Sequence, residues 1–201
     1  MKRLLNYSVL IIIYLMVNSL ILPKHLLTPA YLCGNSNYPT NEYHTFIVSA
    51  YPSNLRRGDF VMLNILRDRN EKTIYKRIIG LPGERVEMKD GIVYINHEPY
   101  VENYIVYKEK PAYINDDLDW DFTFDFIMER SNLEGDVIPE GYYLVMGDNR
   151  HKSSDSRIYG LINKDQIIGK KLIKVLEFKD DSNSSIGKKA KRLVERFISM
   201  T

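Results

Sequence analysis

The sequence predicts a mainly antiparallel β domain carried behind a single N-terminal membrane helix. Three observations predict it: an uncharged apolar run from Leu4 to Leu22, a succession of short β-branched and aromatic segments bounded by Gly, Asn and Asp, and a hairpin signature at RVEMKDGIVYIN. At 201 residues, 44% hydrophobic and 27% charged, the chain can bury one real core and carry an accessory segment. A formal net charge of +2, with no basic stripe interleaved with aromatics before the C-terminal tail, gives no case for nucleic acid as a partner.

From the N-terminus, only Asn6, Ser8, Asn18 and Ser19 dilute the apolar run, which has about the length of a bilayer span. Leu22-Pro23-Lys24 offers no small-x-small cleavage site, so residues 1–23 read as an uncleaved anchor rather than a signal peptide. Lys2, Arg3 and the α-amino group outnumber Lys24, which places the N-terminus inside and the rest of the chain on the extracytoplasmic side. The single cysteine, Cys33, forbids an intramolecular disulfide and reads as a small buried hydrophobe.

Next comes CGNSNYPTN, where Ser36, taken alone, is a hydroxyl in a turn built from ordinary turn residues. HTFIVSAY, DFVMLNIL, TIYKRIIG and GYYLVMG are strands, and Arg85 to Asn96 is a hairpin turning at Asp90-Gly91. Leu118 to Phe126 alternates rings with Asp119, Asp121, Thr123 and Asp125, which predicts a half-buried strand whose acids lie in a row and do not converge on a metal. The β domain thus runs over 24–178, with an insertion at about 100–140. In the tail, 179–201, Ser185 to Met200 reads either as a basic amphipathic helix lying on an anionic membrane or, in preference, as a helix docking on the domain or a solvated, flexible tail.

Four segments carry the chemistry. SNYPTN has Ser36, Pro39 and Thr40; RGDFV runs from Arg57 to Val61; YKRIIGLPGE has Tyr75, Lys76, Arg77, Gly80, Leu81, Pro82, Gly83 and Glu84; GDNRHKSSDSR runs from Gly147 to Arg157. Each alone is a turn, a strand entry or a loop. In this order they closely resemble the boxes of the type I signal peptidases, membrane-anchored Ser-Lys proteases that cut signal peptides from exported proteins. Glu84 stands where the family has Asp, and the resemblance spans Cys33 to about Gly169.

A serine hydroxyl needs a neighbour to take its proton. A lysine can do so once burial destabilises its ammonium, and TIYKRIIGL puts Lys76 in an apolar strand. The resemblance implies a barrel-like antiparallel domain with Ser36 as nucleophile and Lys76 as general base. His25, His44, His97 and His151 sit at no matching position. It further implies the Ser36 backbone N–H as oxyanion donor, while Gly34 removes the hydroxyl that often helps it. Ser153 would hydrogen-bond the Lys76 amine, and Asp148 with Arg77 and Asp155 with Arg157 would clamp the last box against the lysine strand.

The substrate-pocket candidates are Asn37, Asn41 and Tyr75, with the two asparagines in place of the family's Met and Leu. Either these amides are satisfied by each other or by neighbours, which keeps the alanine specificity of the family, or they face the substrate and favour Ser or Gly before the cut. The second reading is preferred here. No cofactor and no metal are implied. The partners implied are preprotein signal peptides, the lipid bilayer and the export machinery, with no nucleic acid. A pilin- or conjugation-type processing peptidase and a catalytically silent peptide-binding homologue stay open. A cytosolic self-cleaving repressor is disfavoured by the anchor and by the lack of a DNA-binding domain.

Overall fold

A computed structural model describes residues 27–33, 36–41, 44–67, 70–105 and 121–178. The expected anchor and tail, and residues 106–120 of the insertion, lie outside the described residues. Among the described residues no helix is long and apolar enough to cross a membrane.

Among the described residues there are ten strands and two short α-helices: β1 (Leu27–Cys33), β2 (His44–Ala50), β3 (Phe60–Arg67), β4 (Asn70–Gly80), β5 (Val86–Lys89), β6 (Ile92–Ile95), β7 (Glu98–Pro99), α1 (Phe124–Arg130), β8 (Tyr142–Met146), α2 (Ser156–Tyr159), β9 (Ile162–Asn163) and β10 (Ile167–Phe178). A seven-stranded sheet runs β1-β2-β10-β3-β4-β8-β9, and β5-β6-β7 form a second sheet. Every pairing is antiparallel, as the sequence predicts.

β3 is central because both of its faces are apolar. Val61, Leu63 and Ile65 pack with Ile78, Val145, Ile162 and Ile167. Phe60 and Met62, on the opposite face, pack with Ile47 and Tyr75. The hairpin forms at Asp90-Gly91, whose φ values of 52° and 75° are those a primed turn demands. Asp121 closes it by accepting from the Asp90 and Gly91 N–H groups at 2.9 and 3.2 Å.

The strand expected over Leu118 to Phe126 is corrected. Phe122 makes one isolated bridge to Met88, and then the chain turns into α1. Thr123 caps that helix by accepting from Phe126 N–H at 3.2 Å. Phe124, Ile127 and Met128 are its buried residues, so the helical spacing that continues past Phe126 prevails over the period of two before it. β1 and β10 were not foreseen. In β10, lysines at 170, 171 and 174 and two register shifts against β2 hide the alternation.

Candidate active site

Three segments meet: the turn Ser36–Asn41, strand β4, and the loop from Gly147 into α2. The turn closes on itself through Asn41 N–H to the Asn37 carbonyl at 2.9 Å. β10 secures its far end, since the Lys171 ammonium donates to Asn41 Oδ1 at 2.9 Å and Lys174 to the Thr40 carbonyl at 3.2 Å. Its near end is held by Asn149 N–H on the Ser36 carbonyl at 3.0 Å. The nucleophile candidate is thereby fixed from two sides.

Lys76 pairs with Val61 across the β3–β4 ladder, which sets its side chain on the face of Ile74 and Ile78. Its Nζ lies 3.1 Å from Ser36 Oγ and donates to the Tyr75 carbonyl at 3.0 Å. Only 3% of Lys76 is exposed. Burial pulls the amine down from 10.5 to about 8; the Asp155 and Asp148 carboxylates push it back up, while Arg157 and Lys72 push it further down. A neutral amine within hydrogen-bond reach of a hydroxyl can take its proton.

The loop from Gly147 into α2 is held by charges. Asp155 caps α2 and accepts from Gly147 N–H at 3.0 Å and from Arg157 Nε at 2.9 Å. Burial favours its neutral form, but the Arg157 charge and the Gly147 N–H outweigh that and hold the carboxyl below its usual range. Arg77 donates to Asp148 Oδ1 at 2.8 Å and to the Gly58 carbonyl at 2.8 Å. One guanidinium thus ties the RGD turn and the last box to the lysine strand. Glu84 pairs with Arg57 and accepts from Leu81 N–H at 2.8 Å, so the longer acid serves its turn.

Two expectations need correction. Ser153 does not bond the amine: its hydroxyl is buried without a hydrogen-bond partner, packed against the Gly147 α-carbon. The side chain of Tyr75, a substrate-pocket candidate, turns away from Lys76 and Ser36. It lies in the core over Phe60, with its hydroxyl 2.9 Å from Ser49 Oγ, because successive strand residues face opposite ways. What Tyr75 presents to the site is its carbonyl. Asn37 and Asn41 are buried and each is half satisfied: Asn37 Nδ2 donates to the Tyr75 carbonyl at 3.1 Å, while Asn37 Oδ1 and Asn41 Nδ2 have no partner. Gly34 lies outside the described residues.

Sequence reasoning missed Glu102. It is 5% exposed, pairs with the buried Arg150 of the last box, and accepts from the Tyr104 hydroxyl at 2.7 Å. The Tyr104 ring stacks on the Arg77 guanidinium at 4.1 Å. Nothing in VENY signals the ion pair, because Arg150 is 48 residues away in the chain.

Gly147 is a steric necessity. A Cβ there would stand 2.5 Å from the Ser36 carbonyl oxygen and 2.1 Å from Ser153 Oγ. Gly147→Ala is expected to cut cleavage at least about a hundredfold by displacing Ser36, since misplacement of about 1 Å carries that penalty. Wild-type kcat/KM in that variant would show that the turn tolerates the shift.

A buried lysine amine within hydrogen-bond reach of a serine hydroxyl is an arrangement that suits a serine endopeptidase. The signal peptidase, peptidase S26, family model matches residues 4–176, and the chain belongs to that family. It is similar to signal peptidase IB of Staphylococcus aureus strain Mu50, with 34% identity over 178 residues, covering 84% of this chain and 87% of that protein. It is likewise similar to signal peptidase I T of Bacillus subtilis strain 168, with 40% identity over 157 residues and 74% of each chain covered. A crystal structure of a signal peptidase I from Enterococcus faecalis V583 aligns at 33% identity with a TM-score of 0.46, covering 59% of this chain and 97% of that one.

Proposed function

We propose that this chain is a membrane-anchored endopeptidase that removes N-terminal signal peptides from exported preproteins, with Ser36 as nucleophile and Lys76 as general base. The observation that carries the reading is the 3.1 Å contact between Lys76 Nζ and Ser36 Oγ in an enclosure that lowers the amine to about 8. Neutral Lys76 takes the hydroxyl proton as Ser36 Oγ attacks the scissile carbonyl, and the Ser36 backbone N–H supports the developing oxyanion. The ammonium then gives its proton to the leaving amine, and the acyl-enzyme forms. Lys76, neutral again, activates the water that releases the acyl group. Arg77, Asp148, Asp155 and Arg157 position the dyad. The apolar run over 1–23 holds the domain on the extracytoplasmic face, where signal peptides emerge.

The test is to mix the purified, detergent-solubilised protein with a labelled preprotein carrying an Ala-x-Ala site and to read the new N-terminus by mass spectrometry. Cleavage after that site by wild type, and none by Ser36→Ala, supports the reading. Equal cleavage by both overturns it.

The pH dependence follows from the amine. Because its value is lowered to about 8, the active neutral fraction grows as pH rises, so kcat/KM should climb about tenfold per unit below pH 8 and level off above it. Flat activity across the acid range would rule out a lysine base.

A further inference from the structure

Two donors converge on one acceptor beside the base. The Tyr75 carbonyl oxygen receives Lys76 Nζ at 3.0 Å and Asn37 Nδ2 at 3.1 Å. Asn37 follows the nucleophile directly in the chain and is 7% exposed. The orientation of its amide is dictated, because a carbonyl can only accept and so must face the NH₂ end. Oδ1 is left buried and unpartnered as a result.

The sign of the effect follows from the two protonation states of the amine. A carbonyl oxygen binds an ammonium more strongly than a neutral amine, so the Tyr75 carbonyl alone would favour the charged lysine. A second N–H on the same oxygen occupies one of its lone pairs and sets the positive end of an amide dipole beside the ammonium. Both effects oppose the charge. The carbonyl still engages one N–H of the neutral amine, which leaves the nitrogen lone pair free to meet the Ser36 hydroxyl.

We propose that Asn37 is a positioning residue that, by sharing the Tyr75 carbonyl with Lys76, keeps the amine neutral and aimed at Ser36 at lower pH. The proposal rests on the Ser36/Lys76 reading. The other charged groups acting on the amine are Asp155 and Asp148, which favour its protonation, and Arg157 and Lys72, which oppose it. Arg77 and Arg157 hold the two carboxylates in place. Asn37 differs from all four in touching the acceptor that the amine itself uses.

The experiment titrates the full-length protein, labelled with ¹³Cε-lysine, by NMR. The Lys76 signal is assigned by its loss in Lys76→Arg, and wild type is compared with Asn37→Leu, Asn37→Met and Asn37→Asp. The Lys76 midpoint should rise by about half a unit or more in the Leu and Met variants and further in the Asp variant. The acid limb of the cleavage profile should move with it. Two apolar variants of different shape guard against the misfolding of one. An unmoved midpoint, or a rate lost equally at every pH, overturns the proposal. If wild type itself cleaves nothing, the Ser36/Lys76 reading falls, while the titration still decides whether Asn37 acts on the amine.

Discussion

Ser36→Ala and Lys76→Ala each lower kcat/KM on a preprotein by about 10⁴-fold or more, and the double variant loses no more than either alone. The losses do not add, because the hydroxyl and the amine act as one unit across their 3.1 Å contact. Single-turnover cleavage of an Ala-x-Ala preprotein, followed for the three variants side by side, measures this. Additive losses would mean that the two groups act separately. A companion measurement shows that the fold survives: Lys76→Met should melt no lower than wild type at pH 7. The native amine titrates near 8 against 10.5 for an ordinary lysine, so its burial penalty is fully present below about 8. That penalty fades as pH rises from about 8 toward 10.5, where the unfolded chain also loses its proton. Wild type should therefore gain on the Met variant over that window.

Glu102→Ala should unfold the domain far more readily, by about 3–5 kcal/mol, because it strands the buried Arg150 guanidinium. Arg150 Nε also donates to the Gly147 carbonyl at 3.2 Å, so the loop that seats Ser36 should loosen at the same time and cleavage should fall. Removing both charges together tests the cause. Glu102→Leu with Arg150→Met should recover much of the lost stability, since a matched apolar pair carries no desolvation penalty. Chemical denaturation of wild type, Glu102→Leu, Arg150→Met and the double variant gives the cycle. A Glu102→Ala variant as stable as wild type would show that the pair contributes nothing.

The strands that could be read in advance are those with uninterrupted β-branched or aromatic runs. β2, β3, β4 and β8, and the β5–β6 hairpin, fall where HTFIVSAY, DFVMLNIL, TIYKRIIG, GYYLVMG and the Asp90-Gly91 turn place them. Where a segment carries two periods, local reading fails. Phe122, Phe124 and Phe126 alternate, yet Phe124, Ile127 and Met128 are spaced for a helix, and contact with the core selects the helix. In β10, Lys171 and Lys174 reach across to the turn at Asn41 and Thr40, a contact that no local pattern signals.

Ser36 and Lys76 were recognisable because their chemistry needs particular residue types set in ordered boxes, and a motif is local in the chain. The salt-bridge partners Arg77 with Asp148 and Asp155 with Arg157 came with the same boxes, and the structure forms both pairs. By itself, then, the sequence determined the antiparallel β class and named the candidate dyad and the two ion pairs beside it. Only the tertiary structure decided that Lys76 is enclosed, that the Ser153 hydroxyl turns to Gly147 and not to the amine, that Glu102 closes the loop through Arg150, and that Asn37 and Lys76 share one carbonyl. The physical reason is that burial and hydrogen-bond geometry depend on groups brought together from distant parts of the chain, and no local pattern of residues records which of them will meet.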